Sequence, residues 1–111
     1  MNAERFEKIL EAQFDSSRKL LLAKRDEYAS DADRLHNFRV AAAMTGTTVA
    51  DAALGMALKH FVSVVDIIKR SAATGNVPPD SVLEEKFTDS VNYLALMRAA
   101  LIEQREEGGK S

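Results

Sequence analysis

The sequence predicts an all-α fold, a compact bundle of four main helices with a long central helix at about 48–74. Three observations support this prediction. Apolar residues recur at the helical period in four segments, capping residues or glycines bound those segments, and no stretch alternates with the period of a strand. A chain of 111 residues is most simply one domain. We therefore expect a single helical domain at 1–107 and a disordered tail at 108–111.

The composition of the chain narrows the class of protein. It has 15 basic and 17 acidic residues, so no overall positive charge favours nucleic acid. The absence of cysteine excludes disulfides, zinc–thiolate sites and thiol nucleophiles. No apolar run approaches the ~20 residues that a membrane-spanning helix needs, and the charged N-terminus differs from a secretory signal. We therefore expect a cytoplasmic protein that does not contact a membrane.

The first two predicted helices are separated by the stretch YASDAD, which breaks the helical period. The first runs from Asn2 to about Glu27 and carries a charged, solvent-facing side. Ser30 or Asp31 can cap the second, at about 32–45, and Gly46 can end it. The inner side of the first helix, as helical spacing predicts it, is apolar with a few polar breaks. It consists of Phe6, Ile9, Leu10, Gln13, Phe14, Ser17, Leu20, Leu21 and Lys24.

The central helix has clear signals at both ends. Thr48 is a good N-cap and Asp51 stands at the capping-box position, whereas Gly75 is a natural residue for the C-terminal stop. A helix that is apolar on nearly every face belongs in the middle of a bundle. We expect a bundle of this size to leave one of the two apolar faces uncovered, and this predicts a homo-oligomer. The two apolar stripes are Ala52, Met56, Val64 and Ile67, and Leu54, Leu58, Phe61, Val65 and Ile68.

The last predicted helix follows the loop GNVPPDS and runs from about residue 80 to residue 107. Ser81 and Glu84 have the spacing of a capping box. Because the loops are short, we expect neighbouring helices to pack roughly antiparallel. The predicted core side of this helix consists of Leu83, Phe87, Val91, Leu94, Met97 and Leu101.

Polar residues interrupt the apolar faces of the central and last helices. Such residues are unfavourable in a core unless each finds a partner, so we expect them to face each other across a groove. Oxygen ligands on two facing helices can bind a divalent cation, and we predict that Asp66, Glu85 and Asp89 hold Mg²⁺. Lys59 and His60 would then neutralise the charge of a phosphate.

Four further polar residues complete the predicted nucleotide site. Asn92 lies on the same face of the last helix as Asp89. Asp33, His36 and Asn37 share one face of the second helix by their spacing, and we place them near the mouth of the groove.

Structural roles could also explain these residues. Lys59 could extend along the edge of the bundle, and His60 could be a hydrogen-bonded core histidine. Asp66 could pair with Arg70 one turn later. Helix capping and surface polarity could account for Asp33 and its neighbours. No phosphate loop, dinucleotide fingerprint or nucleophile elbow is present.

Three stretches of the chain together show a family resemblance. They are KRDEYASDADRLHNF, GMALKHFVSVVD and EEKFTDSVNYLALM, at 24–38, 55–66 and 84–97. They resemble the nucleotide-modification-associated helical domains of phages and prophages. The third stretch is also similar to the metal-binding helix of the MazG-like all-α nucleoside triphosphate pyrophosphohydrolases. In that comparison Asp89 matches the family aspartate and Tyr93 the aromatic residue that follows it.

The resemblance implies a role in nucleotide metabolism or DNA modification during phage infection. For the MazG-like relatives it implies magnesium-dependent cleavage of a nucleoside triphosphate to the monophosphate and pyrophosphate. The family's pair of glutamates on the preceding helix is absent here, and Lys86 stands where an acid is usual. Two readings therefore stay open. One is a pyrophosphohydrolase-like enzyme, and the other is a non-catalytic module that binds a nucleotide or a host or phage protein. A structural helical oligomer is a third.

Overall fold

The computed structural model of the protein describes residues 1–23 and 33–108, and this part of the chain contains helices and no strand. The all-α prediction is confirmed. The predicted caps Ser30 and Asp31, the end of the first helix at Glu27 and tail residues 109–111 lie outside the described residues. The helices are α1 (Ala3–Ala23), α2 (His36–Thr45), α3 (Val49–Thr74) and α4 (Asp80–Gly108).

The ends of α3 are those that the sequence predicts. The Thr48 hydroxyl accepts a hydrogen bond from the backbone N–H of Asp51 at 3.1 Å, which satisfies one of the donors left over at a helix start. At the other end Gly75 adopts a left-handed conformation with φ of 75°. Its N–H donates to the carbonyl of Ser71 at 2.8 Å. Glycine accepts this conformation without the steric cost that a Cβ atom brings.

The helices pack in the order α2, α3, α4, α1. The loop at 75–79 turns the chain back, so that His60 lies beside Asp89 while Ala53 lies near Ala100 in the core, and α3 and α4 are therefore antiparallel. The body measures 52 × 29 × 27 Å, elongated along the two long helices. Each of the two long helices therefore contacts two others: α3 contacts α2 and α4, and α4 contacts α3 and α1.

Small residues bring the helices together in the core. Ala53 and Ala57 on α3 are completely buried, and alanine at a contact allows two backbones to approach closely. Leu35 and Phe38, just before and within α2, fill the space between α3 and α4. The half-buried residues that pack against this cluster are Val49, Ala50, Tyr93, Leu96 and Met97.

The expectation that α3 is buried all round is wrong. Its first predicted stripe turns inward, although Met56 at the edge of that stripe remains 39% exposed. Most of the second stripe is exposed, because α2 and α4 cover only one side of α3. On α4, Leu94 and Leu101 were expected in the core and are exposed as well. A helical period locates an apolar face, but it does not say whether the same chain covers that face.

The contact between α1 and α4 is polar. The side-chain amide of Gln13 donates to the Thr88 hydroxyl at 3.0 Å and to the Ser17 hydroxyl at 3.1 Å. Ser17 and Thr88 are both buried, so these bonds satisfy groups that would otherwise be costly to bury. The Ser16 hydroxyl donates to Glu84 at 2.9 Å. Glu84 therefore anchors α1 to α4, and this bond replaces the capping contact with Ser81 that the sequence suggests.

An ion-pair network ties the turn before α2 to the C-terminal half of α4. Arg39 donates to both carboxylate oxygens of Asp33, at 2.6 and 3.1 Å, and to Glu103 at 2.8 Å. These bonds hold the pKa of Asp33 and that of Glu103 below their usual values, and they raise the pKa of Arg39. Asp33 also accepts the backbone N–H of Leu35 at 3.0 Å. Asp33, predicted to bind nucleotide, thus has a structural role here.

The network predicts how stability depends on pH. A carboxyl group whose pKa is lower in the folded chain stabilises the fold above its unfolded pKa, which is about 4. That stabilisation is lost as the pH falls through the lowered pKa that the group has in the folded chain. We expect the melting temperature of Arg39→Met to lie below that of the parent at pH 7, with the gap narrowing from about pH 4 downward. Arg98→Met is the control, because Arg98 is exposed and makes no ion pair with a residue that the structure describes. A gap that stayed constant down to pH 2 would contradict the assignment.

Candidate functional site

A cavity of about 340 Å³ lies where all four helices meet. Its size is at the lower end of the range for small-molecule pockets. Five of the predicted site residues line it, namely Asn37, Lys59, His60, Asp89 and Asn92. The other lining residues are Leu20, Leu21, Arg34, Phe38, Met56, Tyr93 and Leu96. The structure therefore brings together polar side chains from three segments that are distant in sequence.

His60 is held in place from two sides. Its ring stacks on Tyr93, with the ring centroids 4.9 Å apart and the planes inclined by 28°. Its Nδ1 atom lies 3.5 Å from Oδ2 of Asp89, which is longer than a normal hydrogen bond but close enough for the charge to be felt. Both side chains are largely buried. A stacked ring beside a carboxylate has a fixed plane, so the imidazole can serve as an oriented contact for a ligand.

Asn92 is a buried residue of the cavity whose side-chain oxygen has no hydrogen-bond partner among the described residues. The residue is 6% exposed, and its Oδ1 atom has no hydrogen-bond partner within the described part of the chain. Leaving a buried acceptor without a partner costs about 1–3 kcal/mol. A bound group that offers a donor, with a small rotation of the amide, would remove this cost. Asn92 therefore favours the presence of a polar ligand in the cavity.

Lys59 places an exposed positive charge at the cavity. Lys59 is exposed and forms no ion pair with any residue that the structure describes. Arg34 lies in the turn before α2, and its guanidinium donates to the carbonyl of Leu21 at 3.0 Å. Asp89 is the one carboxylate among the lining residues. The exposed ammonium of Lys59 suits a ligand that carries negative charge near the mouth and apolar surface further in.

The inner wall of the cavity is aromatic and apolar. Tyr93 lies between His60 and Phe38, and the centroids of the Phe38 and Tyr93 rings are 6.2 Å apart at an angle of 50°. Leucines and Met56 complete the wall. A mostly apolar pocket with a few fixed polar groups is typical of sites for organic ligands.

The other predicted site residues are elsewhere. His36 is exposed and does not line the cavity. Asp66 lines a different cavity of about 250 Å³, next to Arg70 and Asn76. It lies six residues after His60, so the two side chains point about 120° apart around α3. Glu85 is exposed, and its ion-pair contact is with Lys86 at 4.0 Å.

The three predicted magnesium ligands are therefore not brought together as one site. Across residues 1–23 and 33–108, no three acidic or histidine side chains are grouped closely enough to hold a metal ion. The helical spacing predicts which side of a helix an acid occupies. It does not predict which side packs against the neighbouring helix, and Asp66 lines a different cavity from Asp89.

Sequence reasoning missed part of the cavity. Arg34 was not singled out, and Tyr93 entered only through the family resemblance. Met56 and Phe38 were assigned to the core, although both also line the cavity. The signal that could have found them is the run of large side chains next to the polar ones, because a cavity between helices needs both an apolar wall and polar contacts.

Two further findings bear on the class of protein. No helix in the described ranges is both long enough and apolar enough to span a bilayer. Comparisons of the chain with protein families, with curated proteins and with solved structures gave no significant match. The interpretation of the site therefore depends on the geometry of the cavity.

Proposed function

We propose that the protein binds a nucleotide in the cavity between the four helices. The observation that carries this proposal is the combination of an aromatic wall, an unsatisfied amide and the exposed ammonium of Lys59 in one pocket. A nucleotide offers the matching parts: a flat base, hydrogen-bonding edges and a negatively charged phosphate chain. Each part has a counterpart among Tyr93, Asn92 and Lys59.

The proposed arrangement places the base against the aromatic wall. Stacking of a base on an aromatic side chain contributes about 1–3 kcal/mol and tolerates any base. The amide of Asn92 then pairs with the edge of the base, because an amide can both donate and accept. Lys59 and Arg34 attract the phosphates at the mouth by their charge.

Binding without hydrolysis is the form of the proposal that the geometry favours. Hydrolysis of a triphosphate by the predicted route needs several acids around magnesium, and Asp89 is the one carboxylate that lines the cavity. A pyrophosphohydrolase-like activity is the second candidate, and the observation in its favour is the Asp89 carboxylate beside the His60 ring. Magnesium binding remains a prediction. In this proposal the ion binds together with the phosphate chain of the nucleotide.

The setting of this function is also a proposal. The resemblance of the three stretches to phage and prophage proteins favours a role during infection, acting on the nucleotides of the cytoplasm. A host or phage protein is the alternative partner. We further propose that the chain forms a homo-oligomer, because several large apolar side chains of α1, α3 and α4 are exposed.

Isothermal titration with a panel of nucleoside triphosphates, with and without magnesium, tests the proposal. We expect saturable binding by the parent, and binding about fivefold to tenfold weaker in Lys59→Ala because a contact between charges of about 1 kcal/mol is lost. Lys8→Ala is the matched control, because Lys8 is an exposed helical lysine of α1 that does not line the cavity.

Product analysis of the same samples distinguishes nucleotide binding alone from a pyrophosphohydrolase-like activity. Unchanged triphosphate supports binding alone, and release of pyrophosphate supports the enzyme. If no nucleotide binds, or if both lysine variants bind as the parent does, the proposed site is wrong.

A further inference from the structure

The exposed side of α3 carries apolar residues at coiled-coil spacing. They follow one another in alternating steps of four and three residues, which is the 3.5-residue repeat of a helix that pairs with another helix. We infer that two copies of this chain associate through this face, with their α3 helices antiparallel. We call the face the outer seam, and its residues are Leu54, Leu58, Phe61, Val65, Ile68 and Ala72.

The outer seam is unusually exposed for side chains of this kind. Leu58 is 52% exposed, Val65 51% and Ile68 53%, and Val62 beside them is 56% exposed. Scattered apolar residues are normal on a surface, but a continuous row of them marks an interface. At ~1.5 Å per residue, the seam from Leu54 to Ala72 extends along about 27 Å of helix.

A second helix can reach the outer seam without disturbing the fold. The buried residues Ala53 and Ala57 mark the side of α3 that faces the core. Leu58 and Val65 lie roughly 80–140° around the helix from these two residues, at 100° per residue. The α2 and α4 helices therefore leave the seam open for a partner.

The charged residues beside the seam indicate which partner covers it and in which direction the partner's helix runs. Asp51 and Lys69 are both exposed and are 18 residues apart, which is five full turns, so they lie on one line along the helix. In a parallel pair, Asp51 would meet the partner's Asp51 and the two lysines would also meet. In an antiparallel pair centred near residue 60, each Asp51 meets the partner's Lys69, and the helix dipoles are also opposed favourably. In this register the part of the seam from Leu54 to Val65 faces the same part of the partner. The seam is therefore complementary to a second copy of itself.

This inference rests on the proposed self-association and is independent of nucleotide binding. Multi-angle light scattering with sedimentation tests it first. We expect a dimer for the parent and at least a tenfold weaker dimer for Leu58→Glu, because the charge would be buried in the seam. Leu10→Glu is the matched control: Leu10 is 41% exposed on α1 and lies outside the seam. Circular dichroism checks that both variants remain helical.

The outcomes separate the two proposals. A parent that is monomeric at every concentration overturns both self-association and the seam. A dimer that survives Leu58→Glu but dissociates in Leu10→Glu overturns the seam and leaves self-association in place. A dimer that survives both substitutions also overturns the seam.

Disulfide formation between introduced cysteines tests whether the two α3 helices are antiparallel. The chain has no cysteine, so introduced thiols have no background. We expect a mixture of Asp51→Cys and Lys69→Cys to form a mixed disulfide dimer on oxidation, whereas neither variant alone does. Disulfides between Asp51→Cys chains alone would indicate a parallel pair, and an absence of disulfides in every sample would overturn the seam.

Discussion

Phe38→Ala should lower the free energy of unfolding by about 3–5 kcal/mol, the typical cost of removing a buried aromatic ring. Phe38 is 7% exposed, and it packs in the core cluster with Leu35 and Ala53 as well as beside the ring of Tyr93. In a chain of 111 residues this is a large fraction of a typical stability. Urea denaturation of parent and variant, followed by circular dichroism, measures the change.

Met44→Ala is the matched control for this prediction. Met44 lies on the same helix as Phe38 but is 82% exposed, so its removal should change stability by no more than about 0.5 kcal/mol. If the two variants lost the same amount, the core would not lie where α2 meets α3 and α4. Phe38 also lines the cavity, so its variant should bind nucleotide less well even at temperatures where it is folded.

Tyr93→Leu should weaken nucleotide binding by about 1–3 kcal/mol, or roughly 5- to 150-fold, because the aromatic wall that contacts the base loses one of its rings. The variant also removes the ring that stacks on His60. Tyr93→Phe keeps the ring and should bind close to the parent. Titration of the three proteins with one triphosphate gives the comparison directly.

Phe87→Leu serves as the control for a general effect of replacing an aromatic ring on α4. Phe87 is half-buried and does not line the cavity, so its variant should bind nucleotide as the parent does. Equal affinities for Tyr93→Leu and the parent would show that the aromatic wall does not contact the ligand.

The sequence predicts the helices well because their ends depend on local chemistry. Thr48 and Gly75 act through bonds to residues within four positions, and such bonds can be read from the order of residues. The pairing of Lys59 and His60 with Asp89 and Asn92 at one cavity was also predicted, because α3 and α4 are joined by a short loop and must run side by side.

The features that the sequence does not predict depend on which helix faces cover each other. The outer seam has the same apolar composition as the inner stripe, so the sequence could not show that one is covered and the other exposed. Asp66 follows the helical period, yet the rotation of α3 against α4 turns it away from Asp89. The ion pair of Arg39 with Glu103 joins residues that are 64 positions apart in sequence, and no local pattern predicts such a contact.

The two histidines of the chain allow the central claim to be tested without a substitution. His60 lines the cavity and stacks on Tyr93, whereas His36 is exposed and lies outside it. NMR spectra of the imidazole groups during titration with a nucleoside triphosphate report on both rings in one sample. The nucleotide site predicts that the His60 signals shift and saturate while those of His36 stay in place. If the His60 signals do not move, or if both rings shift equally, the cavity is not the nucleotide site.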